Sequence, residues 1–436
     1  MKKILISLSL LLMAVITLIS CGDGNRIDQK GEIAIPQEPT IVGIKSVPGG
    51  AVIKVSIPDD PNLKGVVATY QRNGATVESR ISRYLDTLVV EGYADENEHD
   101  VVIRSFNAND DKSEGQTVKI TPLVAPVKTA KFEAFESFGG IKIRITDNPT
   151  LAKLALVVQC DQTNPDQDLA YDQRKWKDVS TFFTESNSVV LTRRGLEAVP
   201  TVFAFHFRDD FGNVSETQLI KLTPKEEVAL NKKLCKYYPV DDDNFKNDTG
   251  GGGVDALFDG VYNGGGKFFL AAKGNPIPTW LTIDLGQEAS ISRIATKPRW
   301  DYMPFQSGNV REWEFWGTDV DPRQDLKNNP AKKGDADYQS RHGFSRGWFM
   351  IAKGEQYKPS GYAPDGTVDG WTSEDREYYL NSTEYECDNT NPLTPRAFDK
   401  IRYLRIVVVN TFESWQYKQT SGGWFIGEVS PYGQIY

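Results

Sequence analysis

The segment Val47-Pro48-Gly49-Gly50-Ala51-Val52-Ile53-Lys54-Val55-Ser56-Ile57, followed by Pro61-Asn62-Leu63, returns as Phe138-Gly139-Gly140-Ile141-Lys142-Ile143-Arg144-Ile145-Thr146, followed by Pro149-Thr150-Leu151. Each copy reads as a Gly-Gly turn opening a strand in which apolar and polar residues alternate. The copies also end alike: Ser113-Glu114 leads to Val118-Lys119-Ile120-Thr121-Pro122, and Ser215-Glu216 leads to Ile220-Lys221-Leu222-Thr223-Pro224. A unit of roughly 100 residues is therefore present twice. Runs of about six alternating residues, punctuated by Gly, Asn, Asp and Pro, predict an antiparallel sandwich for each copy. We place the two sandwiches at residues 36–124 and 125–225.

The N-terminus constrains where such a chain works. Lys2 and Lys3 precede an apolar run from Ile4 to Ile19, which reads as a secretory signal because spanning a bilayer takes about 20 helical residues. Leu18-Ile19-Ser20-Cys21 resembles the bacterial lipobox. The resemblance implies that the Cys21 thiol is acylated and becomes the first mature residue, leaving residues 1–20 as signal and 21–35 as tether. It also implies a lipid-anchored, surface-exposed protein of the cell outer membrane. The alternative is an uncleaved anchor, or an ordinary signal beside an incidental cysteine.

Composition narrows the function classes. A net charge of −9 over 436 residues argues against nucleic-acid binding, which needs a concentrated basic face. Besides Cys21 there are only Cys160, Cys235 and Cys387, so at most one internal disulfide forms and hydrophobic cores carry the fold. The length suits about three domains. Nine Trp, 18 Tyr and 21 Phe are many for a chain of mean hydropathy −0.43, and that surplus needs a location.

The strand rhythm of the first two units, with the turn Arg208-Asp209-Asp210-Phe211-Gly212-Asn213-Val214-Ser215, resembles the fibronectin III or immunoglobulin-like modules of exported lipoproteins of the Bacteroides group. Such modules imply spacers more than a function of their own. Lys225-Glu226-Glu227-Val228-Ala229-Leu230-Asn231-Lys232-Lys233-Leu234 carries helix formers, with acids early and lysines late, which predicts a helical linker at 226–236.

All tryptophans but Trp176 fall after this linker. Four segments occur there in order: Ala256-Leu257-Phe258-Asp259-Gly260; Trp280 to Gly286; Val310 to Thr318; and Ile401 to Val409 with Ile426-Gly427-Glu428-Val429-Ser430-Pro431-Tyr432-Gly433. Together they resemble a coagulation factor 5/8 type C (discoidin) domain, the galactose-binding-like jelly roll also used by family 32 carbohydrate-binding modules. From the residues alone, Leu281, Ile283 and Leu285 share one strand face, and Ile401 to Val409 reads as a central strand covered on both faces. The expected fold is all-β: two immunoglobulin or fibronectin III-like sandwiches and then a jelly roll at 237–436. The span from Thr318 to Ile401 exceeds a short jelly-roll connection and reads as a long polar loop. Its Lys358-Pro359-Ser360-Gly361, with Trp348 and Glu374-Asp375, resembles a Bacteroides subfamily of these domains near glycan-import genes.

Sugars present apolar C–H faces ringed by hydroxyls, so their sites pair a flat ring with hydrogen-bonding groups. Arg299, Trp300, Tyr302 and Phe305 in one loop, and Trp415 and Gln416 in another, supply both types. In the resembled domains these loops share one end of the sandwich. The competing reading is that the rings plug that end or cover the core. The resemblance further implies structural calcium at Asp259 and Glu428, with Asn263 adding a carbonyl oxygen; otherwise Asp259 caps a turn and Glu428 is an exposed strand residue. Catalysis has little support: His99, His206 and His342 fall in different domains, and no Gly-x-Ser-x-Gly elbow or His-Glu-x-x-His helix occurs. The expected function is non-catalytic binding of an extracellular polysaccharide or oligosaccharide for an uptake system. The alternatives are an adaptor for outer-membrane glycan-import proteins and, with less support, a glycosidase acting through two carboxylates.

Overall fold

The computed structural model describes residues 33–246, 249–261, 268–299, 304–324, 347–363, 370–381, 383–387 and 399–436. Cys21, Asn263, Trp300 and Tyr302 lie outside the described residues. The first repeat forms β1 (Thr40–Val47), β2 (Gly50–Ser56), β3 (Gly65–Arg72), β4 (Ala75–Ser82), β5 (Thr87–Glu91), β6 (His99–Phe106) and β7 (Gln116–Ile120). Its sheets run β1-β2-β5 and β4-β3-β6-β7. The second repeat forms β8 (Lys131–Ser137), β9 (Gly140–Asp147), β10 (Leu154–Asp161), β11 (Trp176–Thr184), β12 (Val189–Arg194), β13 (Thr201–Asp209) and β14 (Gln218–Leu222). Its sheets, β12-β9-β8 and β11-β10-β13-β14, repeat the same three-plus-four arrangement.

The duplicated Gly-Gly pairs have a steric cause. Gly49 and Gly139 take the left-handed φ values of 71° and 64°, which glycine adopts without a Cβ penalty. A Cβ on Gly50 would run into the Val90 carbonyl, and one on Gly140 into the Arg193 carbonyl. The alternation that follows is also as expected: Ala51, Ile53 and Val55 are buried in one module, and Ile141, Ile143 and Ile145 in the other. The late turn is shared too. Asn107 Oδ1 accepts from the amides of Asn109 and Asp111, and Asp209 Oδ1 accepts from those of Phe211 and Asn213.

By contact density the chain forms two compact units. One ends at Ala130 and takes in Ala152–Leu154 and Phe207–Glu216; the other holds Lys131–Leu151, Ala155–His206 and Thr217–Tyr436. The C-terminal jelly roll thus shares a unit with most of the second sandwich. Its strands are β15 (Val228–Ala229), β16 (Lys236–Tyr237), β17 (Thr249–Gly251), β18 (Phe269–Ala271), β19 (Thr279–Lys297), β20 (Val310–Thr318), β21 (Phe349–Glu355), β22 (Thr383–Glu386), β23 (Ile401–Thr411), β24 (Trp424–Ile426) and β25 (Glu428–Ile435). The large sheet runs β15-β25-β19-β23-β20-β21, with β16 and β22 also on β19; β17-β18-β24 forms the small sheet. Leu281, Ile283, Leu285, Leu404, Ile406 and Val408 pack with Trp313, Phe315, Phe269 and Trp424 in the main core.

The other face of β23 is covered as well. Trp316, Trp348, Tyr403 and Val407 form a second buried cluster, against which Trp280 packs. Arg405 lies fully buried on this face. Its guanidinium stacks 4.2 Å from the Trp348 ring centroid and bonds Asp242 at 2.6 Å, with Asp243 at 3.4 Å and Thr282 Oγ1 at 3.1 Å. Burial pushes the Asp243 carboxyl up to about 6, although Arg405 and the Thr282 hydroxyl pull it down.

Two expectations are corrected. The helix predicted at 226–236 is instead the short strand β15 and a 3-10 turn, Lys232–Leu234. The edge of β25 offers Val228 and Ala229 ladder partners in Gly433 and Tyr432, and Leu230 is buried; sheet pairing and burial outweigh helix propensity. Glu227, in the same linker, accepts hydrogen bonds from Arg194 Nη1 and Ser292 Oγ, each at 2.5 Å, and lies 3.5 Å from Arg293 Nε. It therefore ties the second sandwich to the jelly roll.

The span after Thr318 is not a plain loop either. It supplies β21, which pairs with β20, β22, which pairs with β19, and the helix α1 (Ser373–Leu380). Thr372 and Asp375 form a capping box on α1. The buried Asp375 carboxylate also accepts from the Ser360 amide at 2.9 Å and hydroxyl at 2.7 Å, and pairs with Lys358 at 3.4 Å. The Lys358-Pro359-Ser360-Gly361 feature is thus a clip that closes the insertion. Cys160, Cys235 and Cys387 are free thiols. Among the described residues, no helix is long and apolar enough to cross a membrane.

Candidate functional site

One end of the jelly roll gathers β18, the turn before β20, and the helix α2 (Phe412–Tyr417) with the segment that follows it to β24. The sequence builds this end by local capping. Thr411 Oγ1 accepts from the Ser414 amide, the Thr411 amide donates to Ser414 Oγ, and Lys418 stops α2 in the left-handed conformation. The Glu413 amide donates to the Ser307 carbonyl at 2.9 Å, and the Phe425 amide to the Gly308 carbonyl at 3.0 Å. A Cβ on Gly308 would meet the Gly423 carbonyl at 2.8 Å, so the two loops need this glycine to close against each other.

Between these segments lies a depression of about 410 Å³. Lys273, Glu413, Gln419, Ser307 and Ser421 line it, with Phe425 and Leu270 as apolar wall and Gly422 and Gly423 exposing backbone. Ser307 Oγ lies 3.4 Å from Glu413 Oε2. Glu413 is the one carboxylate among the described lining residues. A charged acceptor, an ammonium donor, an amide and hydroxyls around an aromatic ring form the chemistry that a polyhydroxylated ligand uses.

Of the sequence-predicted residues, one touches a residue that lines this depression and the others meet different partners. Arg299 stacks on Phe268 at 3.8 Å and faces the lining residue Phe425 at 5.5 Å. Trp415 stands two residues beyond Glu413 on α2, half-buried, with Arg311 at 4.1 Å from its ring centroid and Tyr362 at 5.2 Å. Gln416, beside it, is half-buried. Phe305 is corrected: it is fully buried with Tyr379 and Phe412, at ring distances of 5.3 and 5.6 Å. A left-handed φ of 55° at Phe305 belongs to a turn whose ring plugs the barrel end, so it cannot touch a ligand. Lys273, Ser307, Glu413, Gln419, Ser421 and Phe425 were not singled out from the sequence. For Gln419 and Ser421 alone there was a signal, the small polar run Gln419-Thr420-Ser421-Gly422-Gly423 before Trp424.

The proposed calcium residues meet other partners. Glu428 is buried; its Oε1 accepts from Lys232 Nζ at 2.5 Å, and the Gly260 amide reaches both oxygens at 3.3 and 3.2 Å. Burial pushes its carboxyl up, Lys232 and the Gly260 amide pull it down, and the Asp259 charge adds a smaller push; the net direction is up. Asp259 is exposed and accepts from the Val261 amide at 2.8 Å. Among the described residues no group of three or more His, Cys, Asp or Glu is arranged to hold a metal.

Three family models match the chain, each described as a domain of unknown function: residues 36–122 (DUF4959), 120–233 (DUF5126) and 258–433. No curated protein matches the chain. Among solved structures, the chain is similar to the SusE-like protein BT2857, with 25% identity, 71% of this chain and 100% of that one covered, and a TM-score of 0.40. It is similar to the C-terminal domain of a chitobiase from Bacteroides fragilis, with 14% identity, 48% and 99% covered, and a TM-score of 0.28. It is also similar to a family 32 carbohydrate-binding module of Clostridium perfringens NanJ, solved in complex with galactose, with 13% identity, 47% and 98% covered, and a TM-score of 0.27.

Proposed function

We propose that this chain is a non-catalytic, lipid-anchored surface protein whose jelly roll holds extracellular polysaccharide for an uptake system in the outer membrane. The observation that carries the reading is the depression walled by Phe425 and edged by Lys273, Glu413, Gln419 and Ser421, with Arg299 5.5 Å from the Phe425 ring. Sugar hydroxyls fit the polar edge, and a C–H face fits the rings. An open site of this kind corresponds to a dissociation constant between about a millimolar and a micromolar.

The test is a glycan array probed with the full chain, followed by affinity measurements on variants. Glu413→Ala is expected to weaken retention of the identified glycan by roughly 10–100-fold, the cost of a charged hydrogen-bonding partner. Trp415→Ala should weaken it by about 2–10-fold, the scale of an aromatic contact. The site assignment fails if both variants hold the glycan as tightly as the parent while melting at the same temperature. If the parent retains no glycan but captures an outer-membrane import protein, the adaptor reading replaces this one.

The anchor has its own test, motivated by Leu18-Ile19-Ser20-Cys21. Cys21→Ala should move the protein from the membrane fraction to the soluble fraction, because the acyl chains supply the attachment. Unchanged membrane fractionation would remove the lipid anchor from the proposal.

A further inference from the structure

Calcium takes about six to eight oxygen ligands and needs free lone pairs on its carboxylates. Around Glu428 the described structure supplies hydrogen donors instead. Lys232 Nζ stands 2.5 Å from Oε1, and the Gly260 amide points at both oxygens. Asp259, the other acid of the expected set, has one oxygen engaged by the Val261 amide. An ammonium already seated on the one buried carboxylate repels a second cation entering beside it. This donor set does not fit a divalent ion.

Lys232 is there by construction. Val228 and Ala229 run antiparallel to Gly433 and Tyr432, and the Leu230 amide continues the ladder to the Pro431 carbonyl at 3.0 Å. Asn231 then caps the 3-10 turn by accepting from the Lys233 amide, so the register delivers residue 232 to the start of β25. Besides Glu428, its ammonium reaches Ser430 Oγ at 3.2 Å. The Glu428 side chain is 4% exposed and that of Lys232 27%, so the pair is largely withdrawn from solvent screening.

We propose that the ammonium of Lys232 takes the place of a divalent cation at the closing strand, making the jelly roll calcium-independent and locking the linker onto β25. In this arrangement the cation that neutralises Glu428 and braces the Asp259-Gly260 turn is a covalent part of the chain. It cannot be chelated away, and it is present only when the linker is docked. The proposal is independent of whether the depression binds a glycan.

The experiment compares thermal melting of the full chain in excess calcium chloride and in excess chelator, with a calorimetric titration of calcium chloride alone. The parent should melt at the same temperature in both solutions and give no saturable heat. Lys232→Ser should melt several degrees below the parent, and Lys233→Ser, an exposed lysine one residue away, should match the parent. The idea is overturned if calcium raises the parent's melting temperature with a saturable heat that Glu428→Gln abolishes. It is equally overturned if Lys232→Ser melts together with Lys233→Ser. Should Lys232→Ser fail to fold, the titration of the parent decides the matter alone.

Discussion

Replacing Arg405 with Ala is expected to cost about 3–5 kcal/mol, because it leaves buried carboxylates without their counter-charge. The guanidinium is fully buried, and Asp242 and Asp243 both lie within 3.4 Å of it. It also stacks on Trp348, so the substitution removes packing along with charge. For a domain of this size, about 2–4 °C per kcal/mol converts the loss into roughly 10 °C of melting temperature. Eight of the nine tryptophans lie in this domain, so tryptophan fluorescence during urea or heat unfolding reports on it directly. The control is Arg402→Ala, whose pair with Asp284 sits at the surface with the arginine 45% exposed; about 0–1 kcal/mol is expected there. Equal losses from the two variants would refute the account of the second core.

Asp375→Asn should produce a loss of similar size and remove a pH dependence. Burial pushes the Asp375 carboxyl up, but the Thr372 amide, the Ser360 hydroxyl and amide, and the Lys358 charge together hold it well below the usual carboxylate range. The folded state therefore binds this proton less tightly than the unfolded chain, whose carboxyl has the ordinary value of 3.8. It follows that the stabilisation is complete above about pH 4 and is lost as the pH falls through the lower folded value. In Asp375→Asn this acid limb should flatten. At neutral pH the variant should be about 3 kcal/mol less stable, since the buried Lys358 ammonium loses its counter-charge. Denaturation midpoints for both proteins, measured from neutral pH down into the acid limb, provide the check. Parallel curves would show that Asp375 is not the group responsible.

The parts of this fold that were legible in the sequence are those where one local rule has no competitor. Gly49-Gly50 and Gly139-Gly140 announced strand openings because no side chain fits where β2 and β9 meet their neighbours. Leu281, Ile283 and Leu285 announced a core face by strict alternation, and all three are buried. Where two forces compete, local reading failed. Residues 226–236 have helical propensity, but an unpaired edge on β25 and a buried place for Leu230 decided otherwise. Phe305 illustrates the same limit at the candidate site, since an aromatic beside polar residues in a loop reads equally as a sugar platform or as a plug. Only the pairing of distant segments, Phe305 with Tyr379 and Phe412, separates the two. The depression was illegible for a related reason: Lys273, Ser307, Glu413 and Gln419 come from three separate segments, and no spacing within any one of them encodes their meeting.

The carboxylate of Glu227, shared by Arg194 of the second sandwich and by Ser292 and Arg293 of the jelly roll, also bears on how a polymer would be captured. A freely swivelling joint would have to surrender orientational entropy each time the loop end aligned with a strand of glycan. Fastening that joint in advance means this loss has already occurred on folding. On the proposed reading, more of each weak sugar contact would then go into holding the ligand.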